Sequence, residues 1–138
     1  MPQREPFPMN AAEITLAPTM TAPAGEVVVP PASLLLGTSR TRRFVGREHG
    51  AGISYFFVDY DNGEGPGLHW HPYTETWYVI EGTAELTLGE RRIIARTGDT
   101  ATVPAGVWHR FENVGDDRLK VLCIHASDVI VQTWADEA

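Results

Sequence analysis

GEGPGLHWHPYTETWYVIEG, residues 63–82, and GDTATVPAGVWHRFEN, residues 98–113, decide how this chain folds. In the first stretch one residue separates His69 from His71. Residues i and i+2 of a strand point to the same face, so the two imidazoles can project side by side toward a common point. Pro72, Tyr73 and Thr74 give the chain room to bend. Glu75 then heads the strand-like run Thr76 to Ile80, where its carboxylate can swing back toward the two rings. In the second stretch His109 stands on a separate strand that the fold must bring near. Three imidazole nitrogens and one carboxylate oxygen make a donor set for a divalent transition metal, and on an octahedral ion they leave two positions open for water or substrate. The set does not match a closed structural zinc site, which needs a thiolate cluster. A His-x-His pair alone carries little weight. Here three of the five histidines fall inside the two segments, framed by glycines and a proline at turn positions.

The glycines have a reading of their own. Glu81-Gly82, between Tyr78-Val79-Ile80 and Ala84-Glu85-Leu86, reads as a tight hairpin turn with Gly82 at positive φ. Leu88-Gly89-Glu90 repeats the device before Arg91-Arg92-Ile93-Ile94, and Thr97-Gly98-Asp99 does so before Thr100 to Val103. Pro104-Ala105-Gly106 reads as a turn that delivers Trp108 to Phe111 onto the next strand. Arg42 to Arg47, Ile53 to Tyr60, Leu119 to His125 and Val129 to Trp134 read as further strands, the second of them buried on both faces or nearly so. Short strands separated by turn signals, without helical period or internal repeat, indicate an all-β sandwich or barrel.

Taken together, the two stretches resemble the paired motifs of the cupins. The first cupin motif runs Gly, five residues, His-x-His, three or four residues, Glu, six residues, Gly; Gly63, His69, His71, Glu75 and Gly82 match it throughout. The second runs Gly, five residues, Pro-x-Gly, two residues, His, three residues, Asn; Gly98, Pro104, Gly106, His109 and Asn113 match it throughout. Fifteen residues separate the motifs, and the strand pattern extends the likeness from about Thr41 to Trp134. The resemblance implies a double-stranded β-helix, a jelly-roll barrel, over residues 33–138. It also implies one divalent transition metal inside the barrel on His69, His71, Glu75 and His109, and a homodimer. Iron is the favoured metal, with manganese, nickel, cobalt and zinc as alternatives.

Residues 1–32 carry seven of the ten prolines and read as an extended arm, a candidate interface element. Within it Glu26 to Val29 could add a strand to an open sheet edge. The 138 residues suit a single domain with one core. A net charge of −7 and a pI of about 5.1 argue against nucleic acid as a partner, which requires a basic face. Arg40, Arg42, Arg43 and Arg47 form a local basic cluster, read as a charged strand edge. Cys123 is the only cysteine, so no intramolecular disulfide forms, and its place in an apolar run marks it as a core residue. No apolar run reaches membrane-spanning length, and no basic-then-apolar leader pattern opens the chain, so a cytoplasmic location is expected.

Parity along the strands nominates a substrate pocket. Trp77 and Val79 share the face of Glu75, and Phe111 shares that of His109, with Tyr55, Phe57, Tyr73 and His125 as additions. Such a pocket suits a small, partly apolar or aromatic molecule that offers one oxygen group to the metal. The leading expectation is an Fe(II)-type dioxygenase in which Glu75 is both ligand and catalytic proton acceptor. A redox-neutral isomerase, lyase or cyclase is the first alternative, with Tyr55, Tyr73, His125 or Glu85 as acid or base. A non-enzymatic ligand-binding or sensor barrel is the second. Arg110, beside His109 but on the opposite face, counts against a nucleotide-sugar substrate.

Overall fold

The computed structural model describes residues 17–22, 24–25 and 27–137. Ten strands form two antiparallel sheets that face each other. They are β1 (Arg42–Phe44), β2 (Ser54–Tyr60), β3 (His69–Trp70), β4 (Glu75–Glu81), β5 (Thr83–Leu88), β6 (Arg91–Arg96), β7 (Thr100–Val103), β8 (His109–Asn113), β9 (Leu119–His125) and β10 (Thr133–Trp134). One sheet has the order β1-β2-β9-β4-β7 and the other β10-β3-β8-β5-β6. This is the jelly-roll winding expected of the motifs.

Alternation sets the core. β4 buries Glu75, Trp77 and Val79 and exposes Tyr78 and Ile80, while β9 buries Leu119, Val121, Cys123 and His125. From the second sheet Ala84, Leu86 and Phe111 meet them across the barrel. Trp77 is 1% exposed, and full burial of one aromatic side chain contributes roughly 2–3 kcal/mol. The apolar layer thus fills one end of the barrel, and the buried polar residues His69, His71, Glu75, His109 and His125 collect at the other.

Three of the four sequence-read turns are not hairpins. Only Gly89-Glu90 closes one, pairing Leu88 with Arg91. At Glu81-Gly82, Thr97-Gly98-Asp99 and Pro104-Ala105-Gly106 the chain crosses from one sheet to the other. Gly82 does take positive φ, 106°, and a Cβ there would lie 2.5 Å from the Arg118 carbonyl oxygen. The same backbone freedom serves a crossing as serves a hairpin, so the residue type alone does not separate them.

The strand expected over Arg42 to Arg47 stops at Phe44 and continues into a 3-10 turn, Gly46–His49. The one expected over Val129 to Trp134 is reduced to Thr133 and Trp134. Most of the proposed arm, residues 1–16, lies outside the described residues. Val27, Val28 and Val29 pair with no strand of their own subunit, and Val27 and Val28 are exposed, while Glu26 lies outside the described residues. Among the described residues no helix is long and apolar enough to cross a membrane.

Candidate metal centre

Four side chains from distant parts of the chain meet at the polar end of the barrel. His69 on β3 and His109 on β8 are direct partners in one sheet. Glu75 opens β4 in the facing sheet, between Val103 and His125. His71 lies on the short link from β3 to β4, just before Pro72. One donor atom from each of the four falls within 4.8 Å of the others, and all four residues are buried.

The hydrogen bonds fix which atoms face inward. His69 Nδ1 donates to the Gly67 carbonyl at 2.7 Å, His109 Nδ1 to Val107 at 2.8 Å, and His71 Nδ1 to Val131 at 2.9 Å. With the proton on Nδ1, each Nε2 carries a lone pair, the form a metal requires. Glu75 is held from behind. Its Oε2 accepts from Trp77 Nε1 at 2.9 Å and lies 3.3 Å from His125 Nε2. The Val131 N–H donates to the Tyr73 hydroxyl, which turns its own hydrogen to His125 Nδ1 at 2.7 Å. His125 therefore carries its proton on Nε2 and presents it to Glu75. That leaves Oε1 for the centre.

Three buried acceptors then lack any partner: His71 Nε2, His109 Nε2 and Glu75 Oε1. Each of the two nitrogens lies 3.1 Å from that oxygen. An unpaired buried polar atom costs about 1–3 kcal/mol, and three converging lone pairs also repel one another. A shared cation removes both penalties. Two donors each about 2.1 Å from one ion stand about 3 Å apart when at right angles, which fits these spacings. The residues present therefore fit a divalent metal.

Burial opposes ionisation of Glu75, but the N–H that His125 presents to it favours the charged form and holds the carboxyl below the usual range. Burial lowers the His69 imidazole to about 4. Both shifts favour the unprotonated donors that metal binding needs.

A cavity of about 290 Å³ borders this centre at His69, Glu75 and His125. Its wall includes Phe56, Val58, Tyr60, Trp77, Phe111 and Trp134, with Arg43, Thr41 and Gln132 as polar members beyond the centre. Of the residues nominated by parity, Trp77, Phe111 and His125 lie along it. Val79 is buried in the core instead. Tyr55 and Phe57 face the other side of β2, because that strand turns Ser54, Phe56, Val58 and Tyr60 inward. Tyr55 stacks on Phe44, and Phe57 lies under the Arg42 guanidinium. Tyr73 stacks on His71 and bonds to His125, acting from behind the ligands. Phe56, Trp134 and Gln132 went unmarked in the sequence: two adjacent phenylalanines hide the parity of β2, and a two-residue strand has none to read. Asn113, which ends the second motif, is structural: its side chain ties the Tyr60 and Asp117 carbonyls to the Gly115 N–H.

A sequence profile of the Cupin domain family matches residues 56–125. The chain is a cupin. A 77-residue stretch of this cupin is 40% identical to the oxalate decarboxylase OxdC of Bacillus subtilis, covering 49% of this chain and 20% of that protein. A 61-residue stretch is 36% identical to the polyketide synthase CurC of Streptomyces cyaneus, covering 44% of this chain and 40% of that one. Among solved structures, the cupin resembles Bacillus subtilis oxalate decarboxylase, a protein with Mn(II) centres, at a TM-score of 0.69 and 25% identity over 86% of this chain and 35% of that one. It shares its fold with the Lactobacillus farciminis oxalate decarboxylase, solved with formate, at a TM-score of 0.65 and 22% identity over 74% of this chain and 32% of that one. The cupin spans less than half the length of each of these relatives.

Proposed function

We propose that this cupin is a metal-dependent enzyme for a small, partly apolar substrate. It holds one divalent iron or manganese ion on His69, His71, Glu75 and His109. The observation that carries the reading is the convergence of three orphaned acceptors, His71 Nε2, His109 Nε2 and Glu75 Oε1, beside an apolar cavity that His69 and Glu75 border. A bound ion of this kind supplies Lewis acidity and, if iron, a site for oxygen activation. The chain's own residues do the rest. Phe56, Val58, Trp77 and Phe111 exclude water and orient an apolar body. Trp77 and His125 keep Glu75 aimed by its Oε1 alone. Tyr60, whose phenol burial pushes up to about 12, stays a neutral donor beside the cavity.

Dioxygenase chemistry is the first assignment, supported by four protein donors that leave two positions open. A redox-neutral lyase reaction such as decarboxylation is the second, favoured by the manganese-containing decarboxylase among the structural relatives. The test is elemental mass spectrometry on untagged protein purified without chelator, beside His69→Ala, followed by oxygen-electrode and carbon-dioxide assays on small enols, phenols and carboxylic acids. Near-stoichiometric metal that the variant loses, with oxygen uptake, supports the first assignment. Carbon dioxide release without net oxygen uptake supports the second. A wild-type protein without metal would reject both.

A further inference from the structure

Four arginines crowd residues 40–47, and the structure gives three of them partners outside the cavity. Arg40 lies 3.9 Å from Asp59 and 3.4 Å from Asp61. Arg47 pairs with Asp128 at 3.1 Å. Arg42 sits over the Phe57 ring, 4.4 Å from its centroid. Arg43 has no hydrogen-bond or ion-pair partner among the described residues, and it lines the cavity. Strand register explains the difference. Arg43 stands opposite Phe56, Phe56 opposite Cys123, and Cys123 opposite Trp77, a row in which every member borders the cavity. The row crosses three strand spacings, roughly 14 Å, from exposed Arg43 to Trp77, two residues along β4 from Glu75.

The charge balance is the second observation. The whole chain carries a net charge of −7, which repels anions at long range. Among the described residues the only carboxylate along the cavity is Glu75, and it is turned toward the histidines. An exposed guanidinium facing an apolar wall loses water when an apolar body enters, unless that body brings an anion to pair with it.

We propose that Arg43 anchors a substrate carboxylate, so that the molecule taken up is a small, mainly apolar carboxylic acid. Its carboxylate pairs with the guanidinium at the mouth, and its other end reaches toward His69, His71, Glu75 and His109. Thr41 and Gln132, also on the cavity wall, offer further hydrogen bonds. This assignment rests on the metal-enzyme reading above and adds the substrate class to it.

The test compares acids with their neutral amides, from acetate and acetamide up to 3-phenylpropionate and 3-phenylpropionamide. Binding is followed by the fluorescence of Trp77 and Trp134, both of which border the cavity. The wild-type protein should bind the larger acids roughly tenfold or more tightly than their amides. Arg43→Gln should abolish that preference while leaving amide affinity unchanged, and Arg43→Lys should keep part of it. No acid preference in the wild type, or a preference that survives Arg43→Gln because the acid is held elsewhere, overturns the proposal. Metal content measured on the same samples separates the two readings: an acid preference carried by Arg43 in a protein that never holds metal keeps the anchor and removes the metal enzyme.

Discussion

Trp77 and Glu75, two residues apart on one strand, are joined by a hydrogen bond of 2.9 Å from the indole Nε1 to the carboxylate Oε2. The largest core residue thereby aims a carboxylate of the candidate metal centre. Trp77→Phe keeps most of the ring volume and removes only the donor. We expect metal affinity to fall by about 10–100-fold with little change in fold, because partners that orient a ligand carry effects of that size. Competitive chelator titration of wild type and variant measures it. Equal affinities would show that the indole serves packing alone.

Acid should weaken the barrel first and strip the metal at lower pH. The His69 imidazole, ordinarily near 6.5, is lowered by burial to about 4 in the folded protein. Between these values the unfolded chain takes up a proton that the folded one refuses, so stability rises with pH across the window and is lost on acidification. The metal competes for the same lone pair, so retention falls in the same direction. Melting temperature should decline as pH is lowered from about 6.5 toward about 4, and metal should leave the folded protein as pH falls through about 4, where folded His69 takes up its proton. A stability that stays flat across this window would mean that the fold does not hold His69 unprotonated.

Cys123 should be silent toward thiol reagents in the native protein. It is 3% exposed on the central strand β9, and burial, with the Glu75 charge nearby, pushes its thiol well above the usual value. Ellman's reagent should react with one thiol per chain in denaturant and with none before unfolding. Rapid native labelling would point to an opening of the barrel at β9.

Gly82→Ala should destabilise the fold by about 1–3 kcal/mol. The position combines a φ of 106° with a Cβ only 2.5 Å from the Arg118 carbonyl oxygen. Urea unfolding measures the loss. Gly98→Ala, at a similar φ but in open space, provides the comparison for conformational strain without the clash.

The cluster of His69, His71, Glu75 and His109 was legible because metal coordination would impose residue type and spacing together, so the four stand out without knowledge of the fold. The alternation of β8 was legible because His109 and Phe111 alternate with charged Arg110 and Glu112, whereas the inward face of β4 followed only from parity with Glu75, since Tyr78 and Ile80 on its outer face are also apolar. β2 was not, since Tyr55, Phe56 and Phe57 are all aromatic and the outward pair finds cover on Phe44 and Arg42. The sheet crossings at Gly82, Gly98 and Gly106 were hidden because positive φ says that the chain turns and not where it goes next. The separate fate of Arg43 within its cluster depends on the register of β1 against β2, a long-range pairing that local sequence does not carry.

The position of β9 bears on how the protein is made. This strand lies between β2 and β4, pairing Ser54 with His125 on one side and Glu75 with His125 on the other. A ribosome must therefore finish most of the chain before the first sheet can close. Until residues 119–125 emerge, β2 and β4 present bare edges of the kind that recruit other chains. A nascent chain stopped ahead of Leu119 should be protease-sensitive and prone to aggregate, and one extended past Trp134 should become resistant in a single step. Translation itself thus has a late checkpoint, set by the order in which neighbouring strands are synthesised.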